Sequence, residues 1–185
     1  MGFVLLAVVV VVALWAISAY NRLIALKNQV ANGWKQIDVQ LKRRHDLIPN
    51  LVNAVKGAMD FEKSTLEAVI SARNKAVSAT GVAQVAKAEG ELTQALGRLF
   101  ALSENYPQLK ATANIQQLQE ELVSTENKVG FARQLYNDVA TSYNTAQQQF
   151  PTNLVVGLAK AAPAELWEIE DQAERAVPNV DLKMN

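Results

Sequence analysis

The sequence predicts an all-α membrane protein: an N-terminal transmembrane helix that continues into an antiparallel up-down-up-down four-helix bundle, followed by a short C-terminal helical tail. Three observations predict this class. The chain begins with a long uncharged stretch, its later segments repeat apolar residues at spacings of three and four, and no segment alternates with the period of two typical of strands. The predicted divisions are 1–20 for the anchor, 21–150 for the bundle and 151–185 for a partly apolar, membrane-proximal tail.

The first element is the stretch Gly2 to Tyr20, which contains no charged residue. About 19 residues at about 1.5 Å each approach the hydrocarbon thickness of about 30 Å, and Trp15 and Tyr20 suit the membrane interface. A cleaved signal peptide would need basic residues before the apolar run, and a soluble core helix is the remaining alternative. Basic residues follow this stretch and none precedes it, which predicts a single-pass topology with the N-terminus outside and the body in the cytoplasm.

Composition narrows the function classes. The 185 residues carry 18 basic and 18 acidic side chains, so no net charge draws the chain to nucleic acid. Without cysteine and with His45 as its one histidine, the chain lacks the ligands for thiolate or imidazole-rich metal sites and a thiolate nucleophile. We therefore expect no cofactor, no metal and no enzymatic activity.

The membrane helix is expected to continue past the lipid surface, because no glycine or proline occurs between Gly2 and Gly33. Gly33 either admits a close neighbour or is simply tolerated. The stretch 43–50 contains Pro49 and predicts a turn with Asp46 as N-cap, a continuous kinked helix being the alternative. Three further helices are then predicted: one from Ile48 to about Ala79, one from Val85 to Tyr106 ending at Pro107, and one from Ile115 to Phe150.

The last of these helices has the most regular pattern. Its apolar and small residues alternate threes and fours through five heptads, which is typical of a seam that packs against antiparallel neighbours. The seam comprises Ile115, Leu118, Leu122, Thr125, Val129, Ala132, Tyr136, Val139, Tyr143, Ala146 and Phe150.

The segment Leu154 to Ala162 is apolar apart from Lys160 and is too short to cross a membrane. An up-down-up-down bundle returns its fourth helix to the lipid, so this segment is expected beside the bilayer. It lies in the headgroup boundary, packs on a neighbouring subunit, or folds back on its own bundle.

Two motifs resemble those of the LemA family of bacterial membrane proteins. The first comprises Tyr20 to Leu23, Trp34 and Ile37 to Val52; the second comprises Glu126-Asn127, Ala132-Arg133, Tyr136-Asn137, Tyr143-Asn144 and Phe150-Pro151. The resemblance covers nearly the whole chain and implies a single N-terminal span, a helical bundle and a bacterial inner-membrane location. It implies no reaction, although similar proteins are linked to magnetosome membrane formation and to neighbourhoods with membrane metalloproteases. The chain departs from the family after Pro151, where similar proteins carry an aromatic-rich tail.

The candidate interaction site is the basic motif Arg43, Arg44, His45 and Asp46, which would bind a phosphate or an acidic partner beside the start of a helix. The alternative is a solvated turn with an internal Arg–Asp pair. Two Tyr-Asn pairs fall one heptad apart in the fourth helix, and their tyrosines are expected in the core. Glu126 and Arg133 are expected to form a register-fixing ion-pair network with Arg73.

These observations predict a membrane-tethered scaffold or assembly protein. Its expected partners are the lipid bilayer, further copies of the same chain as a homo-oligomer, and other membrane proteins, with no nucleic acid. The alternative is a sensor or adaptor that binds an acidic ligand or lipid at the basic motif.

Overall fold

The structure is a computed structural model that describes residues 1–58, 63–106 and 112–168. Within these ranges all regular structure is helical, which confirms the predicted fold class. The elements are α1 (Gly2–Ala58), α2 (Lys63–Ser78), α3 (Val82–Ser103), α4 (Ala113–Gln148) and a single 3₁₀ turn (Thr152–Val155).

Helix α1 runs for 57 residues without interruption through the motif predicted to form a turn. The prediction of a turn with Asp46 as N-cap is therefore wrong, and the alternative prediction of a continuous helix is correct. Proline lacks the N–H that would bond to the carbonyl four residues earlier, which here belongs to His45. Arg73 of α2 supplies the missing donor, since its Nε donates to the His45 carbonyl oxygen at 2.9 Å. The helix continues past Pro49 because another helix satisfies the orphaned carbonyl.

The helix predicted from Ile48 to Ala79 is divided between two elements. Its first part belongs to α1, and its second part is α2, which lies antiparallel to the end of α1. Residues 59–62 of this predicted helix lie outside the described residues. Gly81 precedes α3 with a φ of 82°, in the left-handed region that glycine favours, in agreement with the predicted helix end there. The predicted stop at Pro107 also lies outside the described residues.

The buried face of α4 follows the predicted seam from Ile115 to Ala146 except at Val139, which is half-buried. Ala140 is buried where Val139 was predicted, and Phe150 is 80% exposed. A straight helix drifts by about 20° per heptad relative to a strict seven-residue repeat. Toward the end of α4 this drift adds Ala140 and Gln147 to the buried face, beside Tyr143 and Ala146.

The four helices surround a core only in the half of the molecule distant from the apolar stretch. There α1, α2, α3 and the start of α4 bury a continuous cluster that includes Ile48, Leu66, Leu92 and Leu122. Nearer the apolar stretch α1 and α4 form an antiparallel pair, in which a Cβ on Gly33 would lie 3.4 Å from the Tyr136 Cα. Gly33 therefore lies where the α4 backbone approaches closely, the first of the two roles expected for it.

The tail folds back along the α1–α4 pair. Val155 and Ala159 pack with Ala146 against Ala19 and Leu23 of α1, so α4 ends beside the C-terminal end of the apolar stretch. Leu154 and Leu158 remain 66% and 76% exposed. Residues 161–168, here called the strap, lack regular secondary structure and lie against α4. Part of the tail thus packs on its own bundle.

Among the described residues, α1 is the one helix with an 18-residue window long and apolar enough to cross a membrane. Side chains 1–14 are all exposed, and burial begins with Trp15, Ala16 and Ala19 where the bundle meets the apolar stretch. A bare, fully apolar helical surface of this length is stable in lipid rather than in water.

Candidate functional site

A buried cluster of charged side chains lies where α1, α3 and α4 meet. Arg44 of α1 and Glu89 of α3 are each 3% exposed, and the Arg44 Nη1 lies 2.9 Å from the Glu89 Oε2. His45 Nε2 approaches the other oxygen of Glu89 at 2.6 Å. Glu89 therefore uses both carboxylate oxygens to join two neighbouring residues of α1.

The second guanidinium nitrogen of Arg44 continues the cluster toward α4. Its Nη2 donates to the Thr93 hydroxyl at 2.8 Å and lies 2.9 Å from the Glu126 carboxylate. The other oxygen of Glu126 lies 4.0 Å from Arg133. Charged groups inside a protein need such partners, because an unpaired buried charge costs several kcal/mol. The cluster thus links three helices through charged side chains.

The structure places the four predicted interaction residues on one continuous helix, with two facing inward and two outward. Arg44 and His45 are buried in the cluster, whereas Arg43 and Asp46 are exposed. No helix begins at this motif, so the free backbone N–H groups expected beside it are absent. The expected Glu126–Arg133 pair is present. Arg73 is not part of it, because its Nε bonds to the His45 carbonyl instead.

Glu89 is the member of the cluster that sequence reasoning missed. It lies on the apolar face of α3, between Val85 and Leu92, and a lone acid at such a position signals a buried partner. Arg44 is that partner.

A cleft of about 350 Å³ opens beside this cluster. Arg44, Glu89, Glu126 and Arg133 line it together with Trp167 of the strap. The Arg133 guanidinium lies over the Trp167 ring, 5.6 Å from its centroid, a cation–π arrangement. Within residues 1–58, 63–106 and 112–168, no group of three His, Cys, Asp or Glu side chains is arranged to hold a metal ion.

The strap is attached to α4 by the two Tyr-Asn pairs. Asn144 bonds both main-chain groups of Ala164, and Asn137 bonds both main-chain groups of Trp167. The Tyr136 hydroxyl donates to the Glu165 carbonyl at 2.7 Å. Burial first and the nearby Glu165 carboxylate second raise the pKa of Tyr136, so its hydroxyl keeps the proton that it donates.

Tyr143, one heptad further along, is as deeply buried as Tyr136 but differs in its hydrogen bonding. Its hydroxyl has no hydrogen-bond partner among the described residues, and burial raises its pKa. The expectation of core tyrosines holds for both residues, since they are 3% and 2% exposed. Of these two tyrosines, Tyr136 has a hydrogen-bond partner for its hydroxyl in the described part of the chain.

Comparison with known proteins gives a consistent family signal. The family model described as "LemA family" matches residues 33–182. Protein LemA of Metamycoplasma hominis is 28% identical over 137 residues, which are 73% of this chain and 62% of that protein. Magnetosome protein MamQ 2 of Paramagnetospirillum magneticum is 23% identical over 175 residues, covering 80% of this chain and 64% of that protein.

Magnetosome protein MamQ of Magnetospirillum gryphiswaldense is similarly related, with 24% identity over 158 residues, 71% of this chain and 58% of that protein. The chain therefore spans about three fifths of the length of these relatives. None of the names is that of an enzyme.

Proposed function

Because the chain belongs to the LemA family, we propose that it is a membrane-tethered scaffold whose bundle associates with further copies of itself and docks other membrane proteins. The family match and the apolar helix indicate a membrane-associated protein of the LemA type. Since two relatives named above are magnetosome proteins, we include the organisation of membranes in the proposed role.

The observation that carries the proposal is the unbroken course of α1. The same helix contains the apolar stretch and, through Ile37, Leu41 and Ile48, one wall of the bundle core. No linker separates the two parts, so the bundle is held at a fixed distance and orientation relative to the apolar stretch. A rigid mount of this kind suits a protein that presents a surface rather than one that closes over a substrate.

An exposed apolar pair on α4 supplies the surface for association between copies. Phe131 and Leu135 are 73% and 45% exposed, and their spacing of four places them side by side on the helix face away from the core. The common bilayer holds every copy in parallel at the same height. The same pair on two copies can therefore meet across a two-fold axis along the membrane normal, as an isologous interface requires.

The sensor alternative has less support from the geometry. Arg44 already bonds Glu89, Glu126 and Thr93, so an acidic ligand would have to displace a buried carboxylate. Arg43 remains exposed, but a single solvated arginine is a weak anion site.

We propose the bacterial inner membrane as the location, with a single pass and the bundle in the cytoplasm.

The test is the mass of the full chain in nanodiscs and in several mild detergents. We expect an oligomer for the unmodified chain and a smaller species for Phe131→Glu, because the substitution places a charge in the apolar interface. Ser71→Glu is the control, since Ser71 is exposed on α2, a different helix from the one that carries Phe131. A monomeric mass for the unmodified chain under all of these conditions would refute the oligomeric part of the proposal.

A further inference from the structure

The strap is held chiefly through its main chain, in the manner of a bound peptide. Asn144 donates from Nδ2 to the Ala164 carbonyl at 2.8 Å, and its Oδ1 accepts from the Ala164 N–H at 2.7 Å. Asn137 makes the equivalent bonds with Trp167, at 3.0 Å to the carbonyl and 2.9 Å from the N–H. Each asparagine thus reproduces the paired bonds that a neighbouring strand would offer.

The spacing of the two asparagines matches the repeat of an extended chain. Seven residues of α-helix rise about 10.5 Å, and three residues of extended chain span about 10 Å. Asn137 and Asn144 are seven apart, and the two residues that they bond are three apart. The α4 surface can therefore bind the main chain of an extended segment at every third residue. The Tyr136 hydroxyl bonds one carbonyl, that of Glu165, between the two residues held by the asparagines.

Selectivity for one kind of segment comes from the site of Trp167. This side chain is 4% exposed and lies with its ring 6.0 Å from that of Trp34, while Arg133 covers it. A tryptophan supplies a large buried area and specific ring contacts, which makes it a typical anchor of a peptide. The ligand that fits is an extended segment with tryptophan three residues after its first clamped residue.

We propose that the groove between α1 and α4 is a peptide-binding site, and that its ligand in an assembly is the strap of a second copy of this chain. Every copy carries the one segment known to fit. The strap's main-chain hydrogen bonds from Ala164 onward, within the described residues, all go to α4 side chains. Exchange between copies therefore replaces each bond with an identical one.

The connection to the strap is long enough for this exchange. Residues 149–163 span about 50 Å when extended, several times the 8–10 Å that separates packed helices. Full extension releases Val155 and Ala159 from their packing on Ala19 and Leu23. The inference rests on the proposal that copies associate, and exchanged straps would link them in addition to the Phe131 surface. When the strap occupies its own groove, it competes with an incoming strap at an effective concentration of the order of mM.

Complementation between two full-length variants tests the exchange. Trp167→Ala damages the strap and leaves the Asn137 and Asn144 clamp intact, whereas the double variant Asn137→Ala/Asn144→Ala damages the clamp and leaves the strap intact. All of these variants also carry Phe131→Glu, which removes the other proposed interface. Mixed in mild detergent, with one variant affinity-tagged, the two should capture each other at least about tenfold better than either captures itself. The triple variant should capture neither.

The outcomes separate this inference from the proposed function. Equal capture in mixed and unmixed samples overturns strap exchange, and if the unmodified chain is nevertheless oligomeric, the scaffold proposal stands. Mixed capture together with a monomeric unmodified chain supports the groove and overturns oligomerisation of the unmodified protein. Far-UV circular dichroism and thermal melting verify that each variant is folded.

A labelled peptide of residues 161–168 provides a second measurement. It should bind saturably to the full-length Trp167→Ala protein and at least about tenfold more weakly to the triple variant, which lacks the clamp. The unmodified chain should also bind it at least about tenfold more weakly, because its own strap fills the groove. No saturable binding by folded Trp167→Ala protein overturns the proposal.

Discussion

Replacement of Glu89 by alanine tests whether the buried ion cluster stabilises the bundle. The substitution removes the partner of Arg44 at 2.9 Å and of His45 at 2.6 Å, inside a site where Arg44 is 3% exposed. Breaking a buried pair typically costs about 3–5 kcal/mol, because it leaves an uncompensated charge. Arg44 keeps Glu126 and Thr93, so we expect the lower end, about 3 kcal/mol.

The same helix offers a matched control two residues away. Glu91 pairs with Lys75 at 3.1 Å, but these side chains are 43% and 65% exposed, and such pairs contribute at most about 1 kcal/mol. A domain of this size melts about 2–4 °C lower per kcal/mol lost. Glu89→Ala should therefore lower Tm by about 6–12 °C, and Glu91→Ala by no more than about 4 °C.

The assay is thermal unfolding of the full chain in mild detergent, followed by far-UV circular dichroism. Equal melting temperatures for the two variants would refute the account of the cluster as a stabilising, register-fixing unit. A further arm replaces both Arg44 and Glu89 with leucine. Because apolar residues can replace a whole buried ion pair at little cost, this double variant should melt above Glu89→Ala.

Three further outcomes are expected. Arg73→Met leaves the carbonyl opposite the proline of α1 without its donor and should cost about 1–3 kcal/mol in urea unfolding; an unchanged midpoint would contradict that role. Tyr136→Phe should cost about 1 kcal/mol, whereas Tyr143→Phe should be neutral or stabilising because its hydroxyl has no partner within residues 1–58, 63–106 and 112–168, and the reverse order would contradict the assignment. A nitroxide on Leu158→Cys should be more accessible to oxygen than to a polar nickel complex, whereas one on Phe131→Cys should not, since Leu158 lies at the apolar end of the bundle.

The fold was predictable to the extent that it rests on periodicity. The apolar stretch, the 3.6-residue pattern and the glycine before α3 specify the helices through local physics, and the structure agrees. The prediction of a turn at Pro49 is wrong because proline by itself favours a break in a helix. The donor that satisfies the His45 carbonyl comes from Arg73, 24 residues beyond Pro49. Local sequence does not specify which distant residue will supply such a donor.

In the candidate site, too, local sequence predicted some features, whereas contacts between distant residues determine others. Arg44 and His45 were selected for their charge, but the residue that determines their environment is Glu89, 45 and 44 positions away. The Tyr-Asn pairs indicated which side chains face the core and which face elsewhere. They did not indicate that the tail returns to lie against the asparagines, because an extended segment held by side chains has no periodicity of its own.

Because α1 is unbroken, a tilt of the apolar stretch in the bilayer also tilts the whole bundle. From Tyr20 to Ala58 the helix extends about 57 Å beyond the apolar stretch, at about 1.5 Å per residue. Transmembrane helices tilt by about 20° on average and change their tilt with bilayer thickness. A 20° tilt about the membrane surface would displace the distal end of the bundle sideways by about 19 Å. A few ångströms of change in lipid thickness would thus become a large lateral movement of the end that carries α2 and α3.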